Sequence, residues 1–296
     1  MNQIRKKLIG HISALLNPEL VFINRSAIEA LQPDFSNFEL ASANVPFTAE
    51  NPRDAIVYLL AQTALQYRFW DGEGEHYRRY GLDGIVGSAA MVRGFDSAWG
   101  EQSAPGSGIL ACAGATQHLD SYFGDIPDPA SRTAILGEIL FSPQLQDVVG
   151  ALDAAIRTGS AGVDEALLVS KAFPRAYSDP FIKKSQLVVG LIIAQYRKAG
   201  IACSESLFGF ADYQVPAVMR HFGILEYAPE LAGKVDSHTL LEKGGDEEHA
   251  IRAATVIACE MFAARYGVTA AETDWFFWLR RKAPERPFHL TVTTAY

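Results

Sequence analysis

The sequence predicts an all-α, predominantly helical fold, and two observations support this class. A capping residue stands directly before a proline at five places in the 296-residue chain, which is a common helix start because the first helical position needs no N–H. The five pairs are Asn17-Pro18, Asn51-Pro52, Asp128-Pro129, Ser142-Pro143 and Asp179-Pro180. Apolar residues recur at helical spacing, and an alternating pattern occurs near the end of the chain. We therefore expect helices throughout, with at most a minor β-strand near the C-terminus.

The helices can be assigned in chain order. After Asn51, the residues on one helical face are Ile56, Leu59, Leu60, Thr63 and Tyr67. After Asp179 comes the run Leu187 to Ala194, which is apolar on all sides and would fit a buried strand, although its start signal and the later Gly200 favour a buried helix. A short helix is predicted from Asp212 to about residue 222, closed by Gly223.

The C-terminal third continues the helical pattern. Its helical face consists of Ile251, Ala254, Ala258, Met261 and Phe262. Thr269 and Glu272 form a capping box ahead of an aromatic run, and Pro284 is expected to end that helix. The tail from His289 to Tyr296 alternates like a short strand. Earlier in the chain, the stretch 100–108 is rich in glycine and is expected to form a mobile loop.

Length and cysteine usage indicate one intracellular domain. The 296 residues suffice for a single compact helical catalytic domain over 1–296, either undivided or in two lobes with the active site between them. Cys112, Cys203 and Cys259 lie far apart without CxxC spacing, which favours a reducing compartment. The first residues lack the apolar core of a signal peptide, and no stretch approaches the ~18 apolar residues of a membrane helix. We expect a cytoplasmic protein with no membrane partner.

The charge balance and the motifs narrow the choice of ligand. A net charge of -8 disfavours a stable nucleic-acid partner, because such binding needs many basic contacts to phosphates. A small anionic molecule needs only one basic pocket. Neither GxGxxG nor GxxxxGKS/T occurs, and no cluster of His, Cys, Asp and Glu has metal-ligand spacing. We expect a small-molecule substrate, no metal and no cofactor.

One carboxylate stands out in the segment FADYQVPAVMRHFG, residues 210–223. Asp212 lies there among apolar and aromatic neighbours, and such an aspartate commonly caps the helix that follows. On an aromatic turn at a pocket it can instead stabilise a developing cation or orient water, as cleavage of a glycosidic bond requires. Lys183 and Lys184 open the apolar helix upstream, where paired lysines are commonly a solvated helix end. A lysine facing inward would pair with Asp212 or with a ligand anion.

Several sequence blocks together resemble the queuosine salvage protein family, whose members are queuosine 5′-phosphate N-glycosylase/hydrolases. The blocks are LQYRFW, SDPFIKKSQL, FADYQVPAVMRHFGILEY, EHAIRAATV and FFWLRRKAPERPFHLT, in this order. The likeness runs from about Phe47 to Tyr296 and is dense from residue 172 onward. It implies a helical fold similar to helix-hairpin-helix DNA glycosylases. It also implies that water releases queuine from queuosine 5′-monophosphate and leaves ribose 5-phosphate, without a cofactor.

The resemblance further implies a set of site residues. Asp212 takes the position of the catalytic aspartate, and Lys183 that of the active-site lysine, with Lys184 as the alternative and a candidate substrate contact. Further candidate substrate contacts are Phe69, Trp70, Tyr213, Glu248, Arg252 and His289. The first two would stack on a deazapurine, although core packing explains them equally well. Among the others, the arginine suits a phosphate and the glutamate, or Asp71, suits the cationic amine of the base.

The sequence departs from the family pattern at Ala250, where the pattern E-x-E-I-R has a second glutamate, and the segment 77–100 matches only loosely. A nucleosidase for another modified purine nucleotide is therefore an alternative. A non-catalytic binder of a modified nucleoside or of tRNA is a second alternative, from another functional class. The presence of both Asp212 and Lys183 argues against a binder, and the acidic net charge argues against a grip on tRNA.

Overall fold

The fold is mainly helical, as the sequence predicts. The structure is a computed structural model that describes residues 3–35, 47–48, 50–100, 106–283 and 287–296. Over these residues the helices are α1 (Gln3–Ala14), α2 (Arg25–Ala30), α3 (Arg53–Ala64), α4 (Ser88–Gly100), α5 (Ser107–Gly114), α6 (Leu119–Phe123), α7 (Pro129–Leu140), α8 (Leu145–Arg157), α9 (Val163–Ala172), α10 (Pro174–Tyr177), α11 (Lys183–Lys198), α12 (Gln214–His221), α13 (Pro229–Asp236), α14 (Asp246–Tyr266) and α15 (Ala270–Trp278). Short 3₁₀ turns occupy Gly74–His76 and Thr116–His118.

The strands are two or three residues long and form isolated pairs. They are β1 (Val21–Ile23), β2 (Trp70–Asp71), β3 (Arg78–Arg79), β4 (Gly81–Leu82), β5 (Ile85–Val86), β6 (Ser160–Gly162), β7 (Ser204–Ser206) and β8 (Leu225–Tyr227). Three pairs are antiparallel, β1 with β8, β2 with β3 and β4 with β5, whereas β6 and β7 are parallel. Strand content is therefore minor, but it is spread along the chain.

The C-terminal tail forms no strand, although its sequence alternates like one, and this agrees with the prediction of at most a minor β-strand there. Over 289–296 the tail has no strand, and its β-type pairing is an isolated parallel bridge at Leu290, opposite Leu240. His289, Thr291 and Tyr296 are buried while Val292 is exposed. Leu290 is buried as well, so burial does not alternate along the tail, which packs into the protein body instead of pairing within a sheet.

The five residue–proline pairs differ in how well they predict the start of a helix. Asp128 caps α7 through its side chain, as predicted. The helices after Asn51 and Ser142 begin at residues 53 and 145, slightly later than predicted. Asn17 begins no helix: it accepts a hydrogen bond from the amide of residue 19 and starts a turn into β1. Asp179 also lies ahead of its helix, because α11 starts at residue 183 after a left-handed residue.

Other sequence predictions are resolved by the helix bounds. The run Leu187 to Ala194 lies inside α11 and is helical. The helix after Asp212 forms as α12, and Thr269 makes the predicted capping box of α15. That last helix ends at residue 278, and Pro284, proposed as its stop, lies outside the described residues. Of the proposed loop 100–108, residues 101–105 also lie outside them.

Two large apolar clusters form the core. The first joins α3, α4, α5, α7, α8, α9 and α11, and the second joins α12, α13 and the strands β1 and β8. Helices α14 and α15 contribute side chains to both clusters, which explains why they are apolar around most of their circumference. A small third cluster is aromatic and consists of Trp70, Tyr213, Ala217, Phe288, Leu290 and Tyr296. Within the described ranges, no helix combines the length and apolar character needed to cross a bilayer.

Candidate active site

Asp212 lies at the junction between an extended segment and α12. Its Oδ1 accepts hydrogen bonds from the amides of Gln214 and Val215, both at 2.8 Å, so the capping interpretation is correct. These bonds occupy one oxygen. Among the described residues nothing donates to Oδ2, although the residue is only 8% exposed. Burial raises the pKa of Asp212, whereas the charge of Lys183 and the two amides act in the opposite direction. The cap therefore leaves one carboxylate oxygen available for chemistry.

Lys183 supplies the opposite charge. It is the first residue of α11 and is 6% exposed, and its Nζ has no hydrogen-bond partner within the described part of the chain. Burial lowers the pKa of Lys183, and the charges of Asp212 and Asp274 counteract that effect. A helix N-terminus adds a further unfavourable field for a cation. A buried ammonium in such a place is costly, and the charge of Asp212 is the largest of the effects that compensate it.

A second carboxyl, Asp274, joins this pair from α15. It is buried, and its Oδ1 accepts a hydrogen bond from the Phe210 amide at 2.8 Å. Burial and the charge of Asp212 raise the pKa of Asp274 well above its usual range. Of the two carboxyls, Asp274 is therefore the one that keeps its proton to higher pH. The sequence analysis did not single out Asp274, although an acidic residue directly before the aromatic run 275–278 is a signal that could have found it.

Close backbone packing holds the segment that carries Asp212. At Gly209 a Cβ atom would lie 2.6 Å from Sγ of Cys259, closer than real atoms approach. Any side chain there would push the segment away from α14. The neighbouring Phe210 amide is the one that Asp274 binds, so the glycine and the buried acid fix the same stretch of backbone.

Arg252 fastens three parts of the chain together behind Asp212. Its two terminal nitrogens bind the carboxylate oxygens of Asp179 at 2.8 and 2.6 Å, and Nη1 also binds Glu248 at 3.1 Å. Its Nε donates to the carbonyl of Ala211 at 3.0 Å. Two rings face the guanidinium, those of Phe181 and Tyr296. Because two carboxylates neutralise its charge, Arg252 is suited to positioning Asp212 and poorly suited to holding a phosphate.

Glu248 and His289 belong to the same buried scaffold. One oxygen of Glu248 pairs with Arg252 and the other accepts from the amide of Gly244 at 2.8 Å. His289 shares a hydrogen bond of 3.2 Å with the hydroxyl of Tyr296. Burial lowers the pKa of His289 to about 3, so the ring is neutral at physiological pH. Near Arg252, Glu248 is therefore held in an ion pair and His289 is a neutral ring.

Phe69, Trp70 and Tyr213, called here the aromatic wall, are all largely buried. Trp70 and Tyr213 pack in the third cluster, and Phe69 stacks on Tyr80 with ring centroids 6.4 Å apart. A backbone hydrogen bond joins Phe69 to the hydroxyl of Tyr213, the residue after Asp212. The aromatic wall therefore packs in the core and also lies close to Asp212.

Lys184 faces away from Asp212. Its Nζ donates to the carbonyl of Ala64 at 2.7 Å and lies near the rings of Tyr67 and Tyr177. Burial, together with the charges of Lys183 and Arg132, lowers the pKa of Lys184 well below its usual range. The structure therefore brings Lys183, and not Lys184, to the carboxyl pair. Within the described residues, no three His, Cys, Asp or Glu side chains are grouped so as to hold a metal ion.

Comparison with known proteins agrees with the blocks seen in the sequence. A family model described as queuosine salvage protein matches residues 176–296, which include Lys183, Asp212 and Asp274. A Sphaerobacter thermophilus protein named queuosine 5′-phosphate N-glycosylase/hydrolase is 31% identical over 276 residues, covering 82% of each chain. A Dictyostelium discoideum protein of the same name is 27% identical over 267 residues, covering 81% of this chain and 77% of the relative.

Proposed function

This chain belongs to the queuosine salvage protein family, and we propose from that membership that it hydrolyses the N-glycosidic bond of queuosine 5′-monophosphate, giving queuine and ribose 5-phosphate. One structural observation carries the proposal. Asp212 and Lys183, oppositely charged and more than nine-tenths buried, each keep a polar atom without a hydrogen-bond partner among the described residues. Buried charges left open in this way fit a site that a polar ligand completes.

Asp212 is proposed to act at the anomeric carbon. As the C1′–N9 bond breaks, its electron pair leaves with the base and positive charge develops on the sugar. Queuine is a 7-deazapurine without an N7 to protonate. Stabilisation of the positive charge on the sugar must therefore contribute more to lowering the activation barrier. The free Oδ2 provides this stabilisation, since two amides hold the other oxygen in place.

The same carboxylate is proposed to direct the attacking water. Water adds its oxygen to C1′ and gives one proton to Asp212, which later passes it to solvent, while the departing base takes up one proton from solvent at N9. The positive charge of Lys183 favours the ionised form of Asp212 against the effect of burial, and Asp274 holds the proton that two adjacent carboxyls would otherwise share. Asp212 can therefore act as an anion although it is buried.

Recognition of the base is assigned to the aromatic wall. Tyr213 is the neighbour of Asp212 in sequence, and Phe69 is hydrogen-bonded to it through the backbone. Flat rings in an apolar cluster suit a flat deazapurine, and aromatic contacts of this kind contribute about 0.5–1.5 kcal/mol beyond the burial of area.

Recognition of the 5′-phosphate is assigned to Arg281, which the sequence-based prediction did not single out. Its guanidinium lies 3.6 Å from the Trp278 ring centroid and Nη1 binds the Trp278 carbonyl at 3.2 Å. It forms no ion pair with any described residue, and its charge interacts with Asp212. A partly buried arginine with unused N–H groups beside the reaction centre fits a phosphate better than Arg252, whose charge is already neutralised.

The position of the site relative to the core supports a two-lobed enzyme. Lys183 lies on α11 of the first apolar cluster, and Asp212 lies just before α12 of the second. We propose that these clusters are the two lobes and that the substrate binds between them.

A cytoplasmic location and the lack of a stable nucleic-acid partner are also proposed. The net charge of -8 supports the second of these, because it disfavours contacts to phosphates.

Substrate preference can be tested with a panel of 5′-monophosphates that differ only in the base. The panel contains queuosine, 7-deazaguanosine, guanosine and adenosine, and base release is followed by chromatography and mass spectrometry. Ala250, which raised the question of another base, is completely buried in the second cluster and gives no support to a different substrate. We expect the highest kcat/KM with queuosine 5′-monophosphate. A higher value with any other member contradicts the proposed substrate.

A further inference from the structure

Two buried cations meet at the C-terminal end of α3. Arg132, on α7, is completely inaccessible to solvent, and Lys184, on α11, is nearly so. Lys184 binds the carbonyl of Ala64, the last residue of α3, and Arg132 binds the carbonyl of Leu65, which follows it. Neither cation forms an ion pair with a carboxylate of the described residues. They are stabilised instead by backbone oxygens at the negative end of the helix dipole.

All three guanidinium nitrogens of Arg132 donate hydrogen bonds to backbone carbonyls. Its Nε donates to Pro127 at 2.7 Å, Nη1 donates to Leu65 at 2.7 Å, and Nη2 donates to Tyr67 at 2.8 Å and Arg68 at 3.3 Å. Two aromatic rings lie beside the guanidinium, those of Tyr67 and Phe69, with centroids 4.1 and 5.7 Å away. A buried charge is costly unless it is hydrogen-bonded in this way, and these bonds fix the turn between α3 and the aromatic wall.

This turn has an unusual backbone. Arg68 has φ +41°, in the left-handed region that non-glycine residues rarely adopt, and its amide donates to the carbonyl of Tyr296 at 3.0 Å. The next residue, Phe69, accepts from the amide of Tyr80 at 3.0 Å. A residue in this conformation persists when its surroundings hold it there, and Arg132 holds the carbonyls on both sides.

We infer that Arg132 is a positioning residue that fixes the turn 65–68 and thereby sets the place of Phe69 and Trp70 in the base pocket. This inference rests on the proposed function. The connection continues to the reaction centre, because the backbone of Phe69 binds the hydroxyl of Tyr213 beside Asp212. Arg132 does not touch the sugar or the phosphate in this scheme, so its loss changes recognition of the base.

The inference is tested with Arg132→Lys, since one ammonium cannot reach four carbonyls at once. Arg220→Lys is the matched control: Arg220 is also buried and stacks on Tyr227, but it binds Asp236 in the second cluster. We expect Arg132→Lys to weaken queuine binding at least tenfold by calorimetry and to change ribose 5-phosphate binding less than twofold. Arg220→Lys is expected to lower Tm and to leave both affinities unchanged. Equal affinities for queuine in the wild type and Arg132→Lys overturn the inference.

Amide hydrogen exchange gives a readout that does not depend on the reaction. In Arg132→Lys, the amides of residues 66–70 are expected to exchange at least tenfold faster relative to those of α11. In the wild-type protein the same amides are expected to be among the slowest, and rapid exchange there overturns the inference even if the variant fails to fold. If the wild type neither binds nor releases queuine while exchange behaves as expected, the proposed function fails and the positioning of this turn stands.

Discussion

Replacing Asp212 with asparagine removes one charge and little else. The side-chain oxygen of asparagine can still accept the two amide hydrogen bonds of 2.8 Å that cap α12. The amide nitrogen then takes the place of Oδ2, so the group that faces the sugar changes from an anion to a hydrogen-bond donor. The variant should still fold because the cap of α12 is kept, but Tm should fall because the buried ammonium of Lys183 loses its partner charge.

The expected loss of activity follows from the environment of this carboxylate. Removal of one preorganised electrostatic partner costs about 3–4 kcal/mol, or about 10²–10³ in kcat. Here Lys183 stays beside the developing cation without its compensating anion, which adds to the loss. We therefore predict that Asp212→Asn lowers kcat at least about 10³-fold in a protein that still folds, with a lower Tm and little change in substrate affinity.

The assay is single-turnover release of queuine, followed by mass spectrometry beside a thermal melt of each variant. Asp274→Asn is the control, since it removes a neighbouring buried carboxyl that also binds one amide. Because Asp274 keeps its proton to higher pH, its variant is expected to lose less activity than Asp212→Asn. A folded Asp212→Asn enzyme with kcat within threefold of the wild type refutes the assigned role. A larger loss in Asp274→Asn means that the two carboxyls have the opposite roles.

Three further predictions follow from charges outside this carboxyl pair. Arg281→Ala is expected to lower kcat/KM for queuosine 5′-monophosphate about 10–100-fold more than for queuosine, since a hydrogen bond to a charged group contributes about 1.5–3 kcal/mol. Arg252→Met leaves Asp179 buried and unpaired, and urea unfolding is expected to show a loss of about 3–5 kcal/mol. The pKa of His289 is about 3 in the folded protein and near 6.5 when unfolded, so stability is expected to fall as the pH drops from about 6.5 toward 3.

Each of these predictions has its own control. Arg280 stacks on Phe276 and binds its carbonyl as Arg281 does with Trp278, but no interaction links it to Asp212. Arg280→Ala should therefore treat nucleotide and nucleoside alike, and the same ratio in both variants contradicts the phosphate assignment. An Arg252→Met protein that loses less than 1 kcal/mol contradicts its scaffold role. A His289→Gln variant should lose less stability between pH 7 and pH 5 than the wild type, and an equal loss is the contrary result.

Local signals in the sequence predict the local parts of this structure. The capping box at Thr269 forms because its partner is three residues away, and the cap at Asp212 forms for the same reason. The proline signal at Asn17 is misleading because the chain turns there into β1, whose partner lies about two hundred residues later. The alternating tail forms no strand because its side chains have other helices and loops to pack against.

In the active site, too, the sequence predicts what nearby residues determine and not what distant residues determine. Lys183 and Asp212 follow from motifs, but their orientation depends on which face of α11 meets the segment before α12. Asp274 binds an amide 64 residues away, so no local pattern reports its role. Arg252 has the side chain that a phosphate would require. Only the position of Asp179, 73 residues earlier, shows that a carboxylate already neutralises the charge of Arg252.

The central claim is hydrolysis of one glycosidic bond, and it is tested most directly by incubating the purified protein with queuosine 5′-monophosphate in buffer without added metal. Mass spectrometry then measures queuine and ribose 5-phosphate over time. The account predicts that both products appear in equal amounts, over many turnovers, and that Asp212→Asn forms both at least about 10³-fold more slowly. Tight binding of the nucleotide without release of queuine would contradict the account and would identify the protein as a binder.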